Sequence, residues 1–152
     1  MKLEDVKQVT DALYGFLSGI SINGIPWHLE YLENDTETSL MFKSQGYSQE
    51  LKKFIDGGYQ AAFPFEVYIQ ASRRDTKARL NLSRILEAVW LKLSEEESAG
   101  FPNLKLEGAT PLSFTRTSLP ADYTGEKAKL SVFSSAFTLT YEKNGDFSEF
   151  LK

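Results

Sequence analysis

Between Phe63 and Leu93 the chain changes its hydrophobic period once. Phe63, Phe65, Val67 and Ile69 alternate with Pro64, Glu66, Tyr68 and Gln70, the two-residue period of a strand with one buried face. Beyond the charged turn Ser72-Arg73-Arg74-Asp75-Thr76, the residues Leu82, Ile85, Leu86, Val89, Trp90 and Leu93 recur at helical spacing as one broad apolar stripe. Asp75 or Thr76 can start this helix, because their side-chain oxygens accept backbone N–H groups that have no partner in the first turn. Arg79, Arg84, Glu87 and Lys92 fall mostly off the stripe. A strand followed by a long helix with a wide apolar face predicts a helix laid on a sheet.

The flanking patterns are shorter. Residues 3–18 predict a first amphipathic helix, with Leu3, Val6, Val9, Leu13, Phe16 and Leu17 on one face, Glu4 and Asp5 in the first turn, and Gly19 as its stop. Ile25–Tyr31 and Glu37–Phe42 read as extended segments around the turn Glu33-Asn34-Asp35-Thr36. Ser48–Ile55 reads as a short helix or an irregular connection closed by Gly57-Gly58. The run from Ser94 to Gly100 reads as a polar stop to the long helix. Lys105–Ala109 and Leu112–Arg116 predict short strands broken by Pro111, and Leu119–Lys127 a mobile loop. Lys129–Glu142 is the last and longest strand, with a phase slip at Ser134-Ser135 that predicts a bulge. The resulting fold class is α+β: a mostly antiparallel sheet with the long amphipathic helix and the N-terminal helix packed on one face, in a single domain over 1–152.

Charge and composition mainly exclude. The 17 Lys plus Arg against 21 Asp plus Glu leave a net charge of −4, so no general attraction to nucleic acid or anionic membrane is expected. The excess of acid sits in residues 1–56. There is no cysteine, which rules out disulfides and thiolate metal sites. Acidic residues near the N-terminus do not suit a signal peptide, and no apolar run approaches the roughly 20 residues that span a bilayer, so a soluble, intracellularly made protein is expected.

Candidate chemistry is sparse. His28 is the only histidine, and a single histidine beside Trp27 reads as a surface or packing residue more readily than as a catalyst. No Gly-x-Ser-x-Gly elbow is present, and Gly57-Gly58 lacks the Gly-Lys-Ser/Thr continuation of a phosphate loop. Glu95-Glu96-Glu97 reads as a solvated helix end, with acids at the unfavourable end of the helix dipole. The cluster Arg73, Arg74, Lys77, Arg79 and Arg84 could meet phosphates. The favoured reading is a solvated helix start that pairs with acids of the same or a neighbouring subunit. No catalytic, cofactor or metal residues are expected. An enzyme built on Glu66, Tyr68 and Asp75 is an alternative, although those groups lack a convincing partner.

The segment Phe65-Glu66-Val67-Tyr68-Ile69-Gln70-Ala71-Ser72, the following Asp75 and the helix of form Leu-x-x-Ile-Leu-Glu-x-Val resemble the minor capsid or tail terminator proteins of long-tailed bacteriophages. The closing Phe133-Ser134-Ser135-Ala136-Phe137-Thr138-Leu139-Thr140-Tyr141-Glu142 is similar to the terminal strand of that family. The resemblance runs from the first helix to Glu142 and consists of packing patterns. It implies an α+β structural virion protein that assembles as a six-subunit ring at the head-proximal end of the tail tube, or a related tail-completion or head–tail joining protein. The implied partners are further copies of the chain, the tail tube protein and the head–tail connector, with no membrane and no sequence-specific nucleic acid, and no catalytic residues come with it. A ring needs heterologous contacts. Arg73, Arg74 and Asp75, together with Tyr47, Tyr59 and Tyr123 in turn-like segments, are the candidate interface residues, and Phe150 is a further turn-segment aromatic. The other reading of 11 Phe, 7 Tyr and 2 Trp is simply an aromatic-rich core. The loops after Gly46 and after Leu119 are expected to reach neighbours or the tube. A monomeric adaptor that binds protein through a sheet edge is the remaining alternative.

Overall fold

The computed structural model describes residues 3–22, 25, 27–29, 39–44, 47–71, 76–122 and 131–144. In chain order the elements are α1 (Leu3–Ser18), β1 (Trp27–Leu29), β2 (Ser39–Ser44), β3 (Gln49–Lys53), β4 (Tyr59–Ala71), α2 (Thr76–Ser98), β5 (Ala109–Arg116), β6 (Ala121–Asp122) and β7 (Ser131–Lys143). The strands form one sheet in the order β1-β2-β4-β7-β5, with β3 added to β4 and β6 added to β7. Among the described residues only β1 and β2 run parallel. The fold class is α+β, as the hydrophobic pattern predicts.

The centre of the sheet is the pair β4–β7, each strand 13 residues long. They pair without interruption from Tyr59↔Lys143 to Ala71↔Ser131. Tyr59, Ala61, Phe63, Phe65, Val67 and Ile69 of β4 are buried, and so are Phe133, Phe137, Leu139 and Tyr141 of β7. Both helices cover this face. α1 contributes Val6, Val9, Leu13 and Leu17, and α2 contributes Leu82, Leu86, Val89 and Leu93. Their spacing of three or four residues is the reason a helix presents them together. Rings cross the interface: Phe65 lies 5.5 Å from Phe137, and Trp90 stacks on Phe137 at 5.9 Å. Tyr14 meets Phe42 at 6.1 Å, and Phe16 meets Phe114 at 6.4 Å. Fully burying side chains of this size contributes about 1.5–3 kcal/mol each.

Several local expectations are corrected. Ser48–Ile55 is neither a helix nor an irregular link, since β3 occupies Gln49–Lys53 and pairs with Tyr59–Ala62 of β4. Its Glu, Leu and Lys residues favour helix, and the unfilled edge of β4 overrides that local preference. β7 has no bulge at Ser134-Ser135. The core phase continues through Phe133, Ser135 and Phe137, and the buried Ser135 is satisfied by donating its hydroxyl to the Ser118 carbonyl at 2.6 Å. The register shifts lie instead at Glu50/Lys52 in β3 and at Pro111/Ser113 in β5. Pro111 therefore sits inside one edge strand and does not separate two. Of Lys105–Ala109, only the bridge Leu106↔Ala109 is strand-like. Ala121–Asp122, within the expected loop, pairs with Phe133–Ser134. The turn at 33–36 and residues 123–130 lie outside the described residues.

α2 runs five residues beyond Leu93 and closes with a turn that satisfies its last carbonyls. Gly100 N–H donates to Glu97 O at 3.0 Å and Phe101 N–H to Glu96 O at 2.8 Å, the paired bonds of a Schellman stop. Gly100 has φ +81° and Phe101 φ +58°. A left-handed phenylalanine is uncommon and costs roughly 1–2 kcal/mol; burial of its ring against Phe114, 5.7 Å away, offsets that cost. The two left-handed residues turn the chain back over the helix end. There the Glu96 carboxylate accepts from Asn103 N–H at 2.7 Å, Leu104 N–H at 2.6 Å and Asn103 Nδ2 at 2.9 Å. Glu97 accepts from Phe114 N–H at 2.6 Å. The expected solvated acid run is thus corrected: Glu96 is buried, Glu97 is half-buried, and only Glu95 is an exposed acid. Among the described residues no helix is long and apolar enough to cross a membrane.

Candidate assembly surface

Among the described residues no group of three or more His, Cys, Asp or Glu could hold a metal ion. Glu66 and Tyr68 share the outer face of β4, where the Tyr68 hydroxyl donates to the Glu66 carboxylate. This is a neighbour pair along one strand. An open groove of ≈ 520 Å³ lies between the C-terminal ends of the two helices, lined by Phe16, Ile20, Lys92, Glu95, Glu96 and Asn103 among others. Within it Glu96 is held by the 103–104 backbone, and Glu95 lies 3.6 Å from Lys92.

The two strands that flank the central pair at one end of the sheet differ sharply. On the β7 side, β5 is tied to α2. Besides the Glu97–Phe114 bond, Arg116 Nη1 donates to Glu87 Oε1 at 2.7 Å, and its guanidinium lies 5.5 Å from the Trp90 ring. On the β4 side, all five residues of β3 are exposed. Among the described residues β3 pairs with β4 alone. Its position is nevertheless well defined. The Tyr141 hydroxyl donates to Ser48 Oγ at 3.0 Å just before the strand. After it, Phe54 N–H bonds Gly58 O at 2.8 Å, and Gly58 N–H bonds Asp56 Oδ1 at 2.9 Å. Gly57, at φ +88°, supplies the left-handed residue this turn needs.

Exposed apolar side chains concentrate on this hairpin. Tyr47 is 56 % exposed, Leu51 51 %, Phe54 36 % and Ile55 95 %. Such rings and aliphatic groups beside an open strand edge form a ready surface for another chain, through backbone hydrogen bonds and apolar contact together.

Of the interface residues the sequence suggests, Tyr47 lies on this surface. Tyr59 does not: it opens β4 and is buried at 5 % exposure, with its ring edge-on to Tyr141 at 6.5 Å, so its expected place in an exposed turn is corrected. Arg73, Arg74, Asp75, Tyr123 and Phe150 lie outside the described residues, as do the side chains of His28, Lys77 and Arg79. Arg84 is exposed on α2. The sequence reading missed Leu51, Phe54 and Ile55. The available signal was Asp56-Gly57 directly before a strong strand pattern, a hairpin turn that implies a partner strand upstream.

No family model and no curated protein matches this chain. Among solved structures, one that matches is a chain of the virion of a native gene transfer agent (GTA) particle, with TM-score 0.59 and 15 % identity, over 88 % of this chain and 93 % of that one. At that identity the likeness concerns the fold.

Proposed function

We propose that this chain is a structural virion protein, and specifically a tail terminator of the long-tailed phage type. Copies assemble as a six-subunit ring that caps the head-proximal end of the tail tube and presents a surface to the head–tail connector. The role is assembly, with no catalytic step and no cofactor. The observation that carries this reading is the end-to-end fold likeness to a chain of a gene transfer agent virion, joined to the packing motifs of β4, α2 and β7. The open β3 edge and its apolar hairpin support it, because a ring subunit must keep surface for its neighbours. A net charge of −4 also suits a channel through which DNA slides without being gripped.

The same edge supports a second reading, a monomeric adaptor that captures an extended segment of another protein. Native mass over a concentration series, with negative-stain images of the same samples in the presence and absence of tail tubes, separates the two. A hexamer with a central hole, free or on tube ends, is the expected result. A strict monomer that leaves tube ends uncapped would overturn the ring and favour the adaptor.

A further inference from the structure

We propose that the tip of the β3–β4 hairpin, Phe54-Ile55, is a knob that seats in the groove between the helix ends of a second copy. Tip and groove are different patches of one chain, so the contact is heterologous: each copy gives a tip to one neighbour and takes a tip from another. The proposal deepens the ring reading by naming its contact, and rests on that reading only for closure into six. Ile55 is 95 % exposed, the most exposed large apolar side chain among the described residues, and Phe54 beside it is 36 % exposed. Three bonds hold the turn that carries them. Phe54 N–H donates to Gly58 O at 2.8 Å, Gly57 N–H to Phe54 O at 3.1 Å and Gly58 N–H to Asp56 Oδ1 at 2.9 Å. A tip fixed before contact gives up little conformational entropy on insertion.

The groove matches the tip in size, surface and charge. Its ≈ 520 Å³ falls within the span of about 300–1,000 Å³ found for sites that enclose a small ligand, with room for an isoleucine and a phenyl ring. Phe16, Ile20, Ala99 and Pro102 supply apolar wall, and Phe16 and Ile20 are only half-buried. No residue of 47–58 is among its described lining, so a tip that fills it comes from another copy. Both α1 and α2 end here, and neither has a basic residue in its last turn. The partial negative charge of two helix C-termini therefore meets no cation of its own last turn. The Glu95–Lys92 pair is neutral as a whole, and the N–H groups that hold Glu96 do not cancel its charge. Lys105 reaches only the Phe101 carbonyl, past the end of α2. On the other side of the contact, the exposed Lys52 and Lys53 lead into the tip, while Asp56 braces the turn. Opposite potentials thus bring the tip to the groove. One knob is a small contact, so a single junction belongs with weak interfaces, with a dissociation constant on the order of tens of micromolar.

Sedimentation equilibrium of four samples tests this: wild type, Ile55→Asp, Ala99→Trp, and an equimolar mixture of the two variants. Wild type is expected to associate beyond the dimer. Ile55→Asp removes the knob and Ala99→Trp fills the groove, so each variant alone should self-associate roughly ten- to hundredfold more weakly. The mixture should behave differently from both. Ala99→Trp keeps a sound tip and Ile55→Asp keeps a sound groove, so one junction per pair survives and the mixture should stop at a heterodimer. Both positions are exposed, and matching circular dichroism and melting curves will show that the fold is kept. A wild type that stays monomeric to about 1 mM, variants that associate as well as wild type, or a mixture that stays monomeric would each overturn the junction. A hexamer indifferent to both substitutions would overturn it while leaving the ring standing. Open chains of wild type that either substitution dissolves, with no hexamer on tube ends, would support the junction and count against the ring.

Discussion

β5 and β3 lie against the same central pair, at the same end of the sheet, and meet opposite fates. β5 is fastened from above: Glu97 takes the Phe114 N–H, Glu87 takes the Arg116 guanidinium, and Trp90 lies beneath that guanidinium. β3 has a backbone ladder to β4 and a braced turn, while its side chains point into solvent. The reason is the path of α2, whose acidic C-terminal half passes over β5 and makes its contacts with β4, β5 and β7. A strand under a helix spends its polar side chains on its own fold. A strand beyond the helix leaves them at the surface. The contrast leaves β3 as the more open flank of the central pair.

The largest expected effect tests what both flanks depend on. Phe137 is fully buried between Phe65 and Trp90, so Phe137→Ala should cost about 3–5 kcal/mol through lost transfer energy and a residual cavity. Urea denaturation measures it, and a loss below about 1 kcal/mol would mean that the two rings do not enclose that position.

Next is the fastening on the β5 side. Glu96→Ala strands the Asn103 and Leu104 N–H groups and should cost about 2–3 kcal/mol, because Leu104 is buried and water cannot replace the carboxylate. Its neighbour gives the control. Glu95 is 68 % exposed and pairs loosely with Lys92, so Glu95→Ala should leave stability unchanged within error. Equal losses from the two substitutions would sink the assignment. Arg116→Ala is smaller again, about 1 kcal/mol, since it removes one half-exposed ion pair and one guanidinium–indole contact.

What the sequence disclosed follows from how far each pattern extends. α1 and β4 are long enough for their periods to stand out, and the Leu82–Leu93 stripe marks α2 even though its stop was placed early. β3 is invisible by that criterion. Gln-Glu-Leu-Lys-Lys has no alternation and a helical preference, and it is a strand only because β4 offers an edge. The roles of Glu96 and Glu97 were equally hidden, since three adjacent glutamates look alike until Gly100 and Phe101 fold the chain back onto one of them. Tyr59 was misplaced by its closeness to Gly57-Gly58, although it keeps the odd-numbered phase of Ala61, Phe63 and Phe65. Distances along the chain of a few residues decided what could be read. Contacts of Glu97 with Phe114, or of Tyr141 with Ser48, had no local trace.

A small expected effect on stability at β3 sharpens the comparison most. Leu51→Thr replaces a half-exposed leucine with a β-branched residue suited to strands. Leu51 has no partner across the β4 register, falling at the shift between Glu50 and Lys52. The change in unfolding free energy should therefore stay within about 0.5 kcal/mol. Any association through this open edge should still weaken, because the substitution removes exposed apolar area from it. Urea melts and sedimentation of the same sample report the two quantities separately. A clear loss of stability would mean that β3 is fastened to its own fold as β5 is, and the distinction between the flanks would fail. Unchanged stability with weaker association would fit an edge whose leucine contributes to contact with another chain and not to its own fold.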